Sequence, residues 1–491
     1  MLQTVSPHFL RSLAPLGLVF ALGGCGAPGG AGYTGSIATS EDEALDAFLA
    51  EARLANEDRA RVDMLMGAKG GRSLSWVTAD PRWVQLERSQ RIGELRRLRS
   101  GFQPNSLGPG QRVRFEAERE RLTRELEAMD WRGRDLLWSQ APELPGEDWL
   151  LGDARPVELE ANQSLEDPAL LQGWFERVEE RGEFLAALER ELLVRERRGF
   201  FPPAVWVKRA LASVQTARDT QLPGWLGLLS TRLTEEVGLS EIDRAQWRAR
   251  GAEILQVALG ERLDGLANRL VSMVEQAPTG SLAGSSEDSD YYKFLLLRTT
   301  TVTTPPLEFH RLHRGQVVRI HDQIRALLAK VEPGASLESW LAEENETYPL
   351  TAVHPSSPFP SWSMGLELYE SARGAELPDL VGQLNAYALS VVDTGIHASG
   401  WSREEALSYL RQNTQLDAVS ASGAVDYVLL NPSSALAAPV GFEQFITIRT
   451  RCERRWGPDF DDGPLHNMIQ VTGPAPLSTL GVRMLQWMRA R

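Results

Sequence analysis

Residues 240–274 read SEIDRAQWRARGAEILQVALGERLDGLANRLVSMV, and this stretch decides the fold class. Ser240 followed by Asp243 resembles a capping box, the reciprocal pairing that satisfies the first free amides of a helix. Leu255, Leu259, Leu263, Leu266, Leu270 and Val274 then recur every three or four residues, an apolar stripe of about five helical turns. The same period continues on both sides of it. Val178, Leu185, Leu188 and Leu192 form a stripe that stops at Gly199, with Pro202-Pro203 beyond it as a helix-end signal. From Arg112 to Trp131 charges alternate around Phe115, Leu122, Leu126 and Met129, and Ser40 precedes Glu41-Asp42-Glu43 as an N-cap before Leu45, Phe48, Leu49 and Ala52. The best strand candidates are short, Tyr427 to Leu430 and Phe445 to Ile448. The expected fold is mainly α with few short strands. No repeat of fixed period and no long linker divides residues 40–491, which are expected to form one helical domain.

The 491 residues are 42% hydrophobic and 24% charged, a globular composition. Lys and Arg total 52 against 66 Asp and Glu, and a formal charge of -14 repels phosphate backbones, so nucleic acid is not an expected partner. Arg82, Arg88, Arg91, Arg96, Arg97 and Arg99 are a local exception, read as a solvated helix face or a docking patch for an acidic partner. At the N-terminus Arg11 precedes an apolar stretch from Leu13 to Ala21, followed by Leu22-Gly23-Gly24-Cys25. A charged region, an apolar region and small residues before a cysteine resemble a bacterial lipoprotein signal. Residues 1–24 are then the signal peptide, Cys25 is the acylated N-terminus, and the Gly, Ser, Ala and Thr of residues 25–39 form a flexible tether. No later apolar run reaches the roughly 18 to 20 residues needed to span a bilayer. The expected location is the bacterial envelope, anchored by lipid and facing the periplasm from the outer membrane.

Motifs that would carry chemistry are scarce. Two His and a Glu on one helical face would hold and use zinc, yet none of the seven His is followed by Glu. His310 and His313 share a helical face but stand beside Arg without a third ligand nearby in sequence. There is no G-x-S-x-G elbow and no phosphate-binding Gly-rich loop, and Cys452 is the one thiol left once Cys25 carries lipid.

The segment from Val391 to Ala406, VVDTGIHASGWSREEA, resembles the most recognisable stretch of the bacterial domain-of-unknown-function family 885. Weaker matches flank it in order: Asp290-Tyr291-Tyr292, then Arg298-Thr299-Thr300-Thr301, then Leu307-Glu308-Phe309-His310, and near the C-terminus Phe460-Asp461 and Gly473-Pro474-Ala475-Pro476-Leu477. The resemblance is strongest over residues 287–491. It implies a large all-helical fold similar to the gluzincin metallopeptidases of the carboxypeptidase Taq and thimet oligopeptidase type. Members that look like enzymes carry His-Glu-x-x-Pro-Gly-His and, further on, Glu-Gly-Trp followed by Leu-Tyr. This chain departs from both. Val353-His354-Pro355-Ser356-Ser357-Pro358-Phe359-Pro360 stands where the first motif belongs, and in Met364-Gly365-Leu366-Glu367-Leu368-Tyr369-Glu370 a thioether, a poor zinc ligand, replaces the third ligand. The family's Arg-Tyr, Pro-Gly-Gln and Tyr-Lys are replaced by Tyr427-Val428, Pro432-Ser433-Ser434 and Ala438-Pro439.

The resemblance therefore implies a catalytically degenerate relative, without metal or other cofactor, that binds a peptide or envelope protein or serves a structural role. The competing reading is a metal-dependent peptidase or hydrolase with a rebuilt site, in which His354 and His397 with Glu367 or Glu370 hold zinc. Asp393, Thr394, Gly395, His397, Gly400 and Trp401 keep the family pattern, and a local job is expected of them. Gly395 and Gly400 are expected to free the backbone of a turn, Ser402 and Glu405 to cap the helix after it, and Trp401 to staple that helix. His397 has two readings: an oxyanion donor in an active relative, or a buried imidazole satisfied by a carboxylate or carbonyl, with Asp393 the nearest candidate.

Overall fold

The computed structural model describes residues 41–66, 81–131, 150–197, 199, 201–277, 286–331, 334–343, 359–372 and 376–490. The signal, tether and His354 readings lie outside these residues. All regular elements among them are helical, and three hydrophobic cores organise them.

The first core joins α1 (Glu41–Met66), α2 (Pro81–Gly101) and α3 (Pro109–Asp130) through Leu45, Phe48, Leu98, Phe115 and Leu122. In the basic stretch of α2, Arg96, Arg97 and Arg99 are exposed as on a solvated face, and Arg91 is the exception. Arg91 is buried between Glu94 and Glu125, at 2.9 and 2.7 Å, while Arg88 pairs with Asp130 and Arg97 with Glu51.

The second core is built by α4 (Pro168–Arg197), α5 (Ala204–Thr216), α6 (Leu222–Glu235), α7 (Glu241–Ile254) and α8 (Glu261–Val274). Ser240 caps α7 by accepting the Asp243 amide at 3.1 Å, but Asp243 turns to the Ser240 hydroxyl, so only half of the expected box forms. Leu255, Leu259, Leu263, Leu266 and Leu270 are all buried. Two successive steps of four residues each drift about 40° on a regular helix. The π-helical segment Leu255–Gly260 between α7 and α8 absorbs that drift and holds the stripe on one face. The widened turn presents the Ala258 carbonyl so closely to α4 that a Cβ on Gly182 would lie 2.3 Å from it.

The third core contains α9 (Ser286–Thr300), α10 (Pro306–Val331), α11 (Pro360–Ser371), α12 (Leu377–Ser399), α13 (Arg403–Asn413), α14 (Ala418–Leu430), α15 (Ala437–Trp456), α16 (Asp462–Thr472) and α17 (Leu477–Ala490). Both strand candidates are helical: Tyr427 to Leu430 ends α14 and Phe445 to Ile448 lies inside α15. A four-residue apolar run does not distinguish a strand from the buried side of a helix, and the N-cap at Asp417, which accepts the Ser420 amide, favours the helix. The cores are tied together by Leu430, which packs into the second, by Arg209 on Asp426, and by Ala117 of α3, which packs on the third.

Candidate functional site

Helix α12 is the buried axis of the third core; every residue from Gln383 to His397 is buried along it. An apolar helix surrounded on all sides can carry polar groups only where partners wait for them. Asp393 has three. Its carboxylate accepts the Tyr292 hydroxyl at 2.7 Å, the Ser433 amide at 2.9 Å and the Ala435 amide at 3.2 Å. Burial pushes its pKa up to about 7, against the pull of these three donors. Ser433 stands where the family pattern has glycine, and its φ of 75° is the left-handed conformation that glycine adopts freely. Its hydroxyl meets Thr299 at 2.7 Å. Asp393 thus pins a strained turn between α14 and α15 to α9.

One turn on, the Thr394 hydroxyl donates to the Ser390 and Val391 carbonyls and receives His310 Nδ1–H at 2.9 Å. His397 donates Nε2–H to the Val428 carbonyl at 3.1 Å, with its ring tilted against Tyr292, while its buried Nδ1 has no hydrogen-bond partner among the described residues; the imidazole is met on one side only, by a carbonyl and not by Asp393. Burial lowers its pKa to about 4, which keeps the ring neutral. Changing His397 to Ala should lower stability by about 1 to 3 kcal/mol, measured by denaturant unfolding, because the Val428 carbonyl keeps only the Asn431 amide and the lost ring leaves a cavity in the third core. An unchanged midpoint would show that the ring is not needed there.

Of the two glycines, Gly400 does the expected job and Gly395 a different one. Gly400 ends α12 at φ 72°, as a left-handed C-cap. Gly395 lies inside the helix and serves close packing: the Trp401 amide folds back to its carbonyl at 2.9 Å, and a Cβ there would meet the indole at 2.4 Å. Trp401 also packs against His310 and Tyr409, and Ser402 with Glu405 forms the complete capping box of α13.

A second buried polar cluster gave no local signal because its members come from three helices. The Ser390 hydroxyl donates to the Tyr387 carbonyl and accepts His313 Nδ1–H at 2.7 Å, while Glu443 accepts the Tyr387 hydroxyl at 3.2 Å and the Gln316 amide at 3.4 Å. Serine, histidine and glutamate invite comparison with a nucleophilic triad. Two facts oppose it: Ser390 is fully buried, and His313 Nε2 stands 3.8 Å from Glu443, too far for a hydrogen bond. Burial lowers the pKa of His313 to about 3.

The described residues of the rebuilt zinc site, Glu367, Glu370 and His397, are not gathered into a metal-binding group. Glu367 and Glu370 are exposed on α11, with Glu370 facing His466 and Gln470 of α16, and no hydrogen bond or ion pair joins either to His397. Met364 is half-buried on the same helix. Among the described residues no three His, Cys, Asp or Glu side chains are placed to hold a metal ion.

A family model described as bacterial protein of unknown function, DUF885, matches residues 66–356 and 363–484. The chain belongs to this family. The residues that carried the resemblance, scattered over α9, α10, α12 and the segment before α17, meet in space: Tyr292 reaches Asp393, His310 reaches Thr394, and the Thr301 hydroxyl accepts the Leu477 amide at 2.9 Å. The DUF885 match breaks at residues 357–362, which span the end of the 353–360 segment and the first residues of α11. No curated protein matches the chain. Solved structures share its fold, among them two bacterial proteins. A candidate lipoprotein from Colwellia psychrerythraea aligns with a TM-score of 0.65 at 12% identity, covering 92% of this chain and 100% of that one. A candidate lipoprotein of unknown function from Shewanella oneidensis aligns with a TM-score of 0.58 at 12% identity, with the same coverage. No helix among the described residues is long and apolar enough to cross a membrane.

Proposed function

We propose that this DUF885 protein is a lipid-anchored, non-catalytic module of the bacterial envelope, a degenerate relative of metallopeptidase-like proteins that binds a peptide or envelope protein or braces one. One observation carries the reading. The polar side chains retained from the family motif, Asp393, Thr394 and His397, are buried and engaged in internal hydrogen bonds that fasten α9, α10 and the α14–α15 turn around α12. Their arrangement supports a role in holding the fold rather than in meeting a substrate. The replacement of a ligand by Met364 and the exposure of Glu367 and Glu370 support it further. The body from residue 40 onward acts as one helical domain in this reading.

Anchoring is supported by Leu22-Gly23-Gly24-Cys25 and by the description of both structural neighbours as candidate lipoproteins. Gly26, rather than Asp, after the acylated cysteine favours transit to the outer membrane, with the body in the periplasm. In a detergent phase-separation assay the full chain made in a bacterial host should enter the detergent phase, and Cys25→Ala should move it to the aqueous phase. Equal partition of the two forms would refute the anchor.

A further inference from the structure

Helices α3 and α17 line an open cleft of about 210 Å³ between the first core and the third. Its polar wall is basic: Arg112 and Arg119 from α3 face Arg483 from α17, beside the Ser478 and Thr479 hydroxyls, and Glu116 is the one acidic group lining it. Three guanidiniums against one carboxylate make a positive site on a chain of formal charge -14.

The ion pairing of α3 sharpens the point. Arg114 pairs with Asp46, Arg119 with Glu116, Arg121 with Glu118 and Glu125, and Arg124 with Glu120 and Glu127. Among the described residues no carboxylate pairs with Arg112 or with Arg483, although both are half-buried. Two partly desolvated guanidiniums left without a carboxylate, in a cleft that also offers hydroxyl donors, match the oxygens of a phosphate group. The positive end of α17, which starts at Leu477, lies at the same wall.

The position of the cleft indicates where that phosphate comes from. Pro109 and Arg112 lie at the start of α3, and this end is tied to the first residues of α1: the Gly108 amide donates to Asp42 at 3.0 Å, and the Gln103 amide to Glu41. Fifteen residues separate Glu41 from Cys25, and a chain of that length and Gly/Ser-rich composition reaches roughly 20 Å. The geometry points to the α3–α17 cleft as a binding site for the headgroup phosphate of an anionic phospholipid, seating the body on the bilayer that holds its anchor. The choice of a lipid as the source of the phosphate rests on the anchored reading; the phosphate chemistry does not.

Isothermal titration of the full chain in an uncharged detergent, with dihexanoylphosphatidylglycerol and separately with inorganic phosphate, tests this. The short-chain lipid should bind, and the pair Arg112→Gln and Arg483→Gln together should weaken it at least tenfold, while Arg483→Lys, which keeps the charge, retains most of the binding. Binding of inorganic phosphate without the lipid would overturn the headgroup proposal, as would binding that the paired substitution leaves unchanged or no binding of either probe. Melting curves of each variant separate loss of the site from loss of the fold, and an unfolded double variant leaves the single Arg112→Gln and Arg483→Gln chains to decide by the same tenfold criterion. Cys25→Ala should bind both probes as the parent does; unaltered binding beside an unaltered detergent partition would remove the anchor and leave the cleft.

Discussion

Asp393→Ala is expected to destabilise the protein by about 3 to 5 kcal/mol, because it strands the Tyr292 hydroxyl and the Ser433 and Ala435 amides inside the third core. Each buried donor left unpaired costs about 1 to 3 kcal/mol, and partial relaxation keeps the total below the sum. Tyr292→Phe removes one hydrogen bond and leaves the carboxylate its two amides, so a loss of about 1 kcal/mol is expected. If the Ala variant unfolds at the denaturant midpoint of the parent, the α14–α15 turn is held by something else.

The same carboxyl group sets a pH dependence of definite sign. Burial raises Asp393 to about 7 in the folded chain from an ordinary value of 3.8, so the folded state holds the extra proton between those values. Its contribution is fully present below about pH 4 and is lost as pH rises through 7, by up to about 1.4 kcal/mol per unit. His313 and His397 oppose it. Burial depresses them to about 3 and about 4, and the unfolded imidazoles near 6.5 take up protons first, so stability falls as pH drops below 6.5. Subtracting the unfolding free energy of Asp393→Asn from that of the parent isolates the carboxyl group. The difference should decline from pH 5 to pH 8; a difference that stays flat or grows contradicts the assignment.

Gly441→Ala is expected to cost about 3 kcal/mol or more, at the upper end for overpacking. Helices α11 and α15 cross backbone to backbone here: a Cβ on Gly441 would lie 1.7 Å from the Ser361 carbonyl oxygen, and one on Gly365 would lie 2.4 Å from the Gly441 Cα. Neither neighbour is a side chain that can swing away. The helices must move apart, and Phe445 then loses its contacts with Trp362 and Tyr369. Gly382→Ala is the control, since a Cβ there meets nothing within 4 Å, and at a helical position it should stabilise by about 0.5 to 1 kcal/mol. Equal melting of the two variants would mean that the crossing is looser than the geometry requires.

Local pattern carried the helices well and the site poorly, for physical reasons. The stripe from Leu255 to Leu270 was legible because a helix buries every third or fourth residue, whereas the π segment beneath it left no mark beyond two steps of four. Tyr427 to Leu430 misled because four apolar residues are too few to show a period. The capping box at Ser402 and the burial of His397 were readable from neighbours in sequence. The partners of Asp393 were not, since they lie 101, 40 and 42 residues away, and Asp393 was the wrong choice of partner for His397, which bonds the Val428 carbonyl. The Ser390, His313 and Glu443 cluster was hidden for the same reason.

In the function proposed above, this member of DUF885 keeps the family's buried framework without a metal centre. Elemental analysis of the purified full chain after mild dialysis tests it most directly, because a zinc site bound with on the order of ten kcal/mol would survive that treatment. The account predicts no stoichiometric zinc in the parent chain or in His354→Ala. One equivalent of zinc per chain, lost in His354→Ala, would contradict it and establish a rebuilt metal site.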